Sequence, residues 1–239
     1  MANSEHINGA FLYGMLTSPR ITQKMVQALR FTGRTGREAG FEVHRSLGKR
    51  TIEYPLFKGD NRRVLTAPDV LYQQGVYGLF LVHTHPVGDV VTPSPGDLAY
   101  LQFSYDTHKL GADVSANSVG GVIHGFDDDD SLFSLVIYQY KDPELHIPEF
   151  EQLCQLEKRI AKLQDSNKNR ALLGRLESQA NASSESVLKT YFRVGLLVYR
   201  LHGTSAVLAD ATNNLFSDDK SMTAQTLLET FSFKARMVE

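Results

Sequence analysis

Val76-Tyr77-Gly78-Leu79-Phe80-Leu81-Val82-His83-Thr84-His85-Pro86 is an apolar run that ends in two histidines. The stretch Val76–Val82 is nearly continuous in apolar residues and rich in β-branched and aromatic side chains, so it reads as a central strand buried on both faces. Successive strand residues point to opposite faces, which sets His83 and His85 on the same side. A strand end is a rigid platform opening onto a loop, a natural place for two imidazoles to meet a metal.

Downstream, after a loop rich in Gly, Asp and Pro, Ser94-Pro95-Gly96-Asp97 opens a helix. Ser94 is a good N-cap with an acidic residue three positions on, and Leu98, Leu101, Gln102 and Tyr105 continue at helical spacing. From that first turn the Asp97 carboxylate can face back toward the imidazoles. Two neutral imidazoles and one carboxylate leave the fourth tetrahedral position of zinc for water, the pattern of a catalytic site. Such a metal polarises a carbonyl and makes its water ionise near neutral pH. Taken singly, a histidine at a strand end is more often a hydrogen-bonded residue. An aspartate in a first helical turn usually serves the helix dipole. The conjunction of the three is what reads as a metal site.

Further outward, a helix is expected from Ser18 to about Phe31, with Pro19 near its start and Ile21, Met25, Val26 and Leu29 on one face. Thr32-Gly33-Arg34-Thr35-Gly36 ends it. Glu38–Val43, Thr51–Phe57, Ser118–His124 and Leu132–Tyr140 read as strands, and Asp69–Gln74 as a short helix. Strands alternating with helices around a buried strand make an α/β or α+β domain, 1–145. The remainder, 146–239, reads as a helical C-terminal extension: an amphipathic helix over Pro148–Leu163, a polar, weakly helical stretch over Asn167–Ala182, a long helix capped by Ser184 and running to Leu201, and a last one near Ser221–Phe233. It is expected to pack on the first domain or to form a homo-oligomer contact.

Composition narrows the function. The 239 residues are 42% apolar and 22% charged, as in ordinary globular proteins. A net charge of −2 gives no broad attraction to nucleic acid or to anionic membranes. Cys154 is the single cysteine, so an intrachain disulfide is excluded. Met1-Ala2-Asn3-Ser4-Glu5-His6 lacks the basic start and apolar stretch expected of a secretory signal, and no apolar run approaches the roughly 20 residues that cross a bilayer. The expectation is a soluble protein of the cytoplasm, or one delivered into a host cytosol. Cys154 on an amphipathic helix reads as a core residue, Asp127–Asp130 as a charged turn, and Arg30–Arg50 as a solvated basic stretch.

The stretch His83-Thr84-His85-Pro86-Val87-Gly88-Asp89-Val90-Val91-Thr92-Pro93-Ser94-Pro95-Gly96-Asp97 resembles the signature of the JAMM (MPN) metalloproteases, especially their RadC-like bacterial branch. The loop before Asp97 is one residue longer than in that pattern, the extra residue falling in Val90-Val91-Thr92. Upstream, Arg37-Glu38-Ala39-Gly40-Phe41 fits the slot where the family places a glutamate at the start of a strand. The resemblance spans Ser18–Tyr140. It implies a JAMM/MPN-like (cytidine-deaminase-like) mixed sheet flanked by helices, and Zn²⁺ held by His83, His85 and Asp97. Glu38 would act as general acid/base and Ser94 would hydrogen-bond the oxyanion. The activity implied is hydrolysis of an amide or isopeptide bond at the C-terminus of ubiquitin or a ubiquitin-like protein. Glu42 and Glu53 are rivals of Glu38 for the base. Two other functions compete: a catalytically inactive JAMM-like scaffold, and a RadC-like DNA-associated protein.

Overall fold

The computed structural model describes residues 14–46, 51–53, 56–59, 76–86, 93–98, 100–101, 119–125, 132–141, 147–166 and 169–212. Eight strands form one mixed sheet: β1 (Ala39–Ser46), β2 (Thr51–Glu53), β3 (Phe57–Lys58), β4 (Val76–Thr84), β5 (Val119–Gly125), β6 (Leu132–Tyr140), β7 (Phe192–His202) and β8 (Ser205–Thr212). Their order is β2-β1-β4-β5-β6-β7-β8, with β3 also pairing β1. Only β4 and β5 pair in parallel; every other pair is antiparallel. A parallel pair needs a crossover, and the helical residues 95–98 and 100–101 belong to the one that leaves β4 and returns as β5.

Helices cover both faces. On one, α1 (Pro19–Thr35) lays Ile21, Met25 and Val26 against Phe41, Val43, Phe80, Val82, Ile123 and Leu197. Pro19 opens α1, and Gly36 closes it at φ 63°, its amide bonding the Thr32 carbonyl. On the other face, Leu98 and Leu101 join Val122, Tyr138, Leu196 and residues of α2 (Glu149–Ser166) and α3 (Arg170–Tyr191). Asn169 turns between those two helices at φ 70°, a left-handed conformation that asparagine tolerates.

Most elements fall where the sequence sets them, with one large correction. The segment read as a helix from Ser184 to Leu201 is the end of α3 followed directly by β7. Ser184 lies buried inside α3 rather than capping a helix, and the stretch expected to be weakly helical forms most of α3. β7 pairs the whole length of β6, from Leu132↔Arg200 to Tyr140↔Phe192, so the C-terminal extension is not purely helical and the sheet runs across the 145/146 boundary. Both faces of β7 are covered, so its sequence lacks the alternation that marks a half-buried strand. The strand expected over Thr51–Phe57 is instead the two short strands β2 and β3, both on β1. The helices expected at Asp69–Gln74 and Ser221–Phe233, and the turn Asp127–Asp130, lie outside the described residues. Among those described, no helix is long and apolar enough to cross a membrane.

Candidate metal centre

Phe80 and Val82 of β4 face the α1 core, and so does Thr84, whose hydroxyl meets that of Thr32. Alternation then sends His83 and His85 to the opposite face, where both are buried. The Thr84 hydroxyl also donates to the Ala39 carbonyl (3.1 Å) and accepts from the Ala39 amide (3.0 Å). One side chain thus ties α1, the start of β1 and the end of β4 together behind the two imidazoles.

Asp97 arrives from the crossover. Its turn is a capping box: the Asp97 amide donates to Ser94 Oγ (3.2 Å) and the Ser94 amide donates to Asp97 Oδ2 (2.7 Å). This fixes the carboxylate over the strand end, with Oδ1 3.0 Å from His83 Nε2 and Oδ2 3.4 Å from His85 Nε2. The two Nε2 atoms are 3.1 Å apart. Metal–ligand bonds of about 2.0–2.1 Å in a tetrahedral zinc site put neighbouring ligand atoms about 3.3 Å apart. The three observed separations bracket that figure, so the two buried imidazoles and the partly exposed Asp97 carboxylate converge as a cation's ligands must and could hold a metal ion. Burial alone would push the Asp97 carboxyl up; His83 and then His85 outweigh it and hold the group well below the usual carboxylate range. A carboxylate kept ionised beside imidazole nitrogens is the donor set a divalent cation takes.

The candidate bases stand at different places on the sheet. Gly40 pairs with His83 on the antiparallel ladder, and continuing that register sets Ala39 opposite Thr84 and Glu38 opposite His85. Glu38 is half-buried there, its carbonyl bonded by the Gly59 amide. Glu42 lies deeper, opposite Leu81, 2% exposed, with Oε2 2.8 Å from His44 Nε2 and Oε1 accepting from the Tyr100 hydroxyl at 3.4 Å. Glu53 is on the short strand β2, opposite Val43, with β1 between it and β4. Ser94 spends an oxygen lone pair on its cap, which leaves the hydroxyl proton for a second bond.

Two further residues join the site through geometry that the sequence does not give. His124 follows the Thr84↔Ile123 pair on the parallel strand, and the His85 amide bonds the Ile123 carbonyl at 3.2 Å, so His124 stands beside His85. Ile123 belongs to the α1 core, hence His124 returns to the imidazole face; its Nδ1 donates to the Gly125 carbonyl at 2.8 Å. Only the strand register reveals this neighbour. Glu157, on α2, accepts from the Gly96 amide at 2.8 Å, and nothing local in the sequence connects the two. Cys154, one turn earlier, has its thiol pKa pushed up by burial and by Glu157, the wrong direction for a nucleophile. Compared with family models and with curated protein sequences, the chain matches none.

Proposed function

We propose that this chain is a JAMM-type zinc isopeptidase or peptidase, cleaving amide bonds at the C-terminus of ubiquitin or a ubiquitin-like protein. The observation that carries the reading is the convergence of His83, His85 and Asp97 at a strand end, 3.0–3.4 Å apart, with both imidazoles buried. The motif in which they stand, His-x-His followed by Ser-x-x-Asp, supports the family, and the mixed sheet with helices on both faces is compatible with a JAMM/MPN-like fold. A zinc ion held by these three residues supplies Lewis acidity to the scissile carbonyl and acidifies water.

The chain's own residues would do the rest. Glu38, opposite His85 and half-buried, takes the proton from the attacking water and passes it to the leaving amine. The Ser94 hydroxyl donates to the carbonyl oxygen as charge builds on it. Glu42 is engaged with His44 and Tyr100, which favours a supporting role for it, and the family's pattern puts the base at Glu38.

Metal analysis of the purified protein should find about one zinc per chain. His85→Ala should lose it. Glu38→Gln should keep the metal and lose cleavage of ubiquitin-like fusions and isopeptide conjugates, a panel run with and without a chelator. An absence of bound metal sinks the enzyme reading. Zinc with no cleavage of any conjugate leaves the scaffold reading in its place. Cleavage by Glu38→Gln but not by Glu42→Gln moves the base to Glu42.

A further inference from the structure

The two imidazoles stand at the end of β4, whereas Asp97 comes from the crossover, on the turn that opens at Ser94. Pro95 brings no amide to that turn, so Gly96 and Asp97 carry its first donors. Ser94 Oγ takes the Asp97 amide, and Glu157 Oε1 takes the Gly96 amide at 2.8 Å. The fit is close: a Cβ on Gly96 would lie 2.9 Å from Glu157 Oε2 and 3.1 Å from Oε1, so glycine is what lets the carboxylate approach. A carboxylate at a helix N-terminus is also favoured by the helix dipole. Glu157 comes from α2, which packs Leu153 and Phe150 into the same core as Leu98 and Leu101.

From this we infer that Glu157 is a positioning residue of the metal centre, and that α2 is thereby part of what sets metal affinity. The inference rests on the metal reading above. A ligand whose supporting turn can drift loses the convergence measured at Asp97, and outer partners of metal ligands commonly matter by 10–100-fold. Linkage makes the effect reciprocal: if docked Glu157 strengthens metal binding, bound metal strengthens the docking of α2 by the same factor.

The test uses the full chain, stripped of metal and titrated with Zn²⁺ against a chromophoric chelator. Glu157→Ala should weaken zinc binding about tenfold, and Glu157→Gln, whose amide oxygen can still accept the Gly96 bond, by less. Glu151→Ala, an exposed carboxylate on the same helix, should leave it unchanged. In the wild type, hydrogen exchange across Glu149–Ser166 should slow when zinc is added, and in Glu157→Ala that response should vanish. Zinc affinity of Glu157→Ala within about twofold of wild type overturns the inference while leaving the metal site standing. A wild type that binds no zinc overturns the metal reading itself. Should Glu157→Ala not fold, the zinc response of exchange in the wild type decides, and its absence overturns the inference.

Discussion

Tyr138 shows how tightly single side chains are committed on the metal face. It is fully buried, its ring lies across Gly120, and a Cβ on Gly120 would fall 2.1 Å from the ring. Gly120→Ala should therefore cost about 1–3 kcal/mol or more in urea unfolding, because neither the ring nor the sheet can move far. The Tyr138 hydroxyl finds no hydrogen-bond partner among the described residues. Tyr138→Phe should thus be neutral or stabilising by up to about 1 kcal/mol, since an unsatisfied buried hydroxyl is removed. Burial, then Asp97 and Tyr140, raise its phenol well above the usual value. A tyrosine raised in the fold contributes stability that is intact below the unfolded value, about 10, and lost as pH climbs toward the folded value. Comparing urea midpoints at about pH 8 and about pH 10.5 should show Tyr138→Phe losing less than the wild type.

At the scale of elements, legibility followed covering. α1 announces itself because one face is buried and one is wet, and β4 because a seven-residue apolar run that short and β-branched suits a central strand. The α3–β7 junction does not. Helix passes into strand at Tyr191–Phe192 with no glycine or proline between them, and Leu196, Leu197 and Tyr199 fill both faces of the sheet. What ends α3 is tertiary: the Lys141 amide bonds the Tyr191 carbonyl, and the Lys141 ammonium bonds the carbonyls of Lys189 and Thr190. No local rule could supply a cap from 50 residues away. The candidate ligands were readable because strand parity and helix capping are local rules; His124 and Glu157 were not, since register and helix packing placed them. By contrast, Gly36 closes α1 through its own left-handed backbone. Gly36→Ala should cost about 1 kcal/mol of stability, read as a lower Tm, while zinc affinity stays at the wild-type value.

For the molecule as a whole, the division at residue 145 has a direct test. β7 supplies the partner for the whole of β6, and Phe192, Val194, Leu196, Leu197 and Tyr199 reach into the cores on both faces. A chain ending at residue 145 would leave β6 as an open edge and strip apolar cover from α1's core as well as from α2's. It should show no cooperative thermal transition and should bind a dye for exposed apolar surface, whereas the full chain melts in one step.

The capping box at Ser94–Asp97 has a bearing on how such a protein can diverge. Each end of the segment between His85 and Asp97 is anchored by its own device, the β4–β5 ladder on one side and the capped turn with Glu157 on the other. Between two fixed posts the entropy of closure grows slowly with the number of residues joining them, about 0.6 kcal/mol per doubling. The stretch around Val90-Val91-Thr92 is therefore where a lineage can insert or delete residues, and so alter what reaches the centre, without rebuilding the ligands themselves.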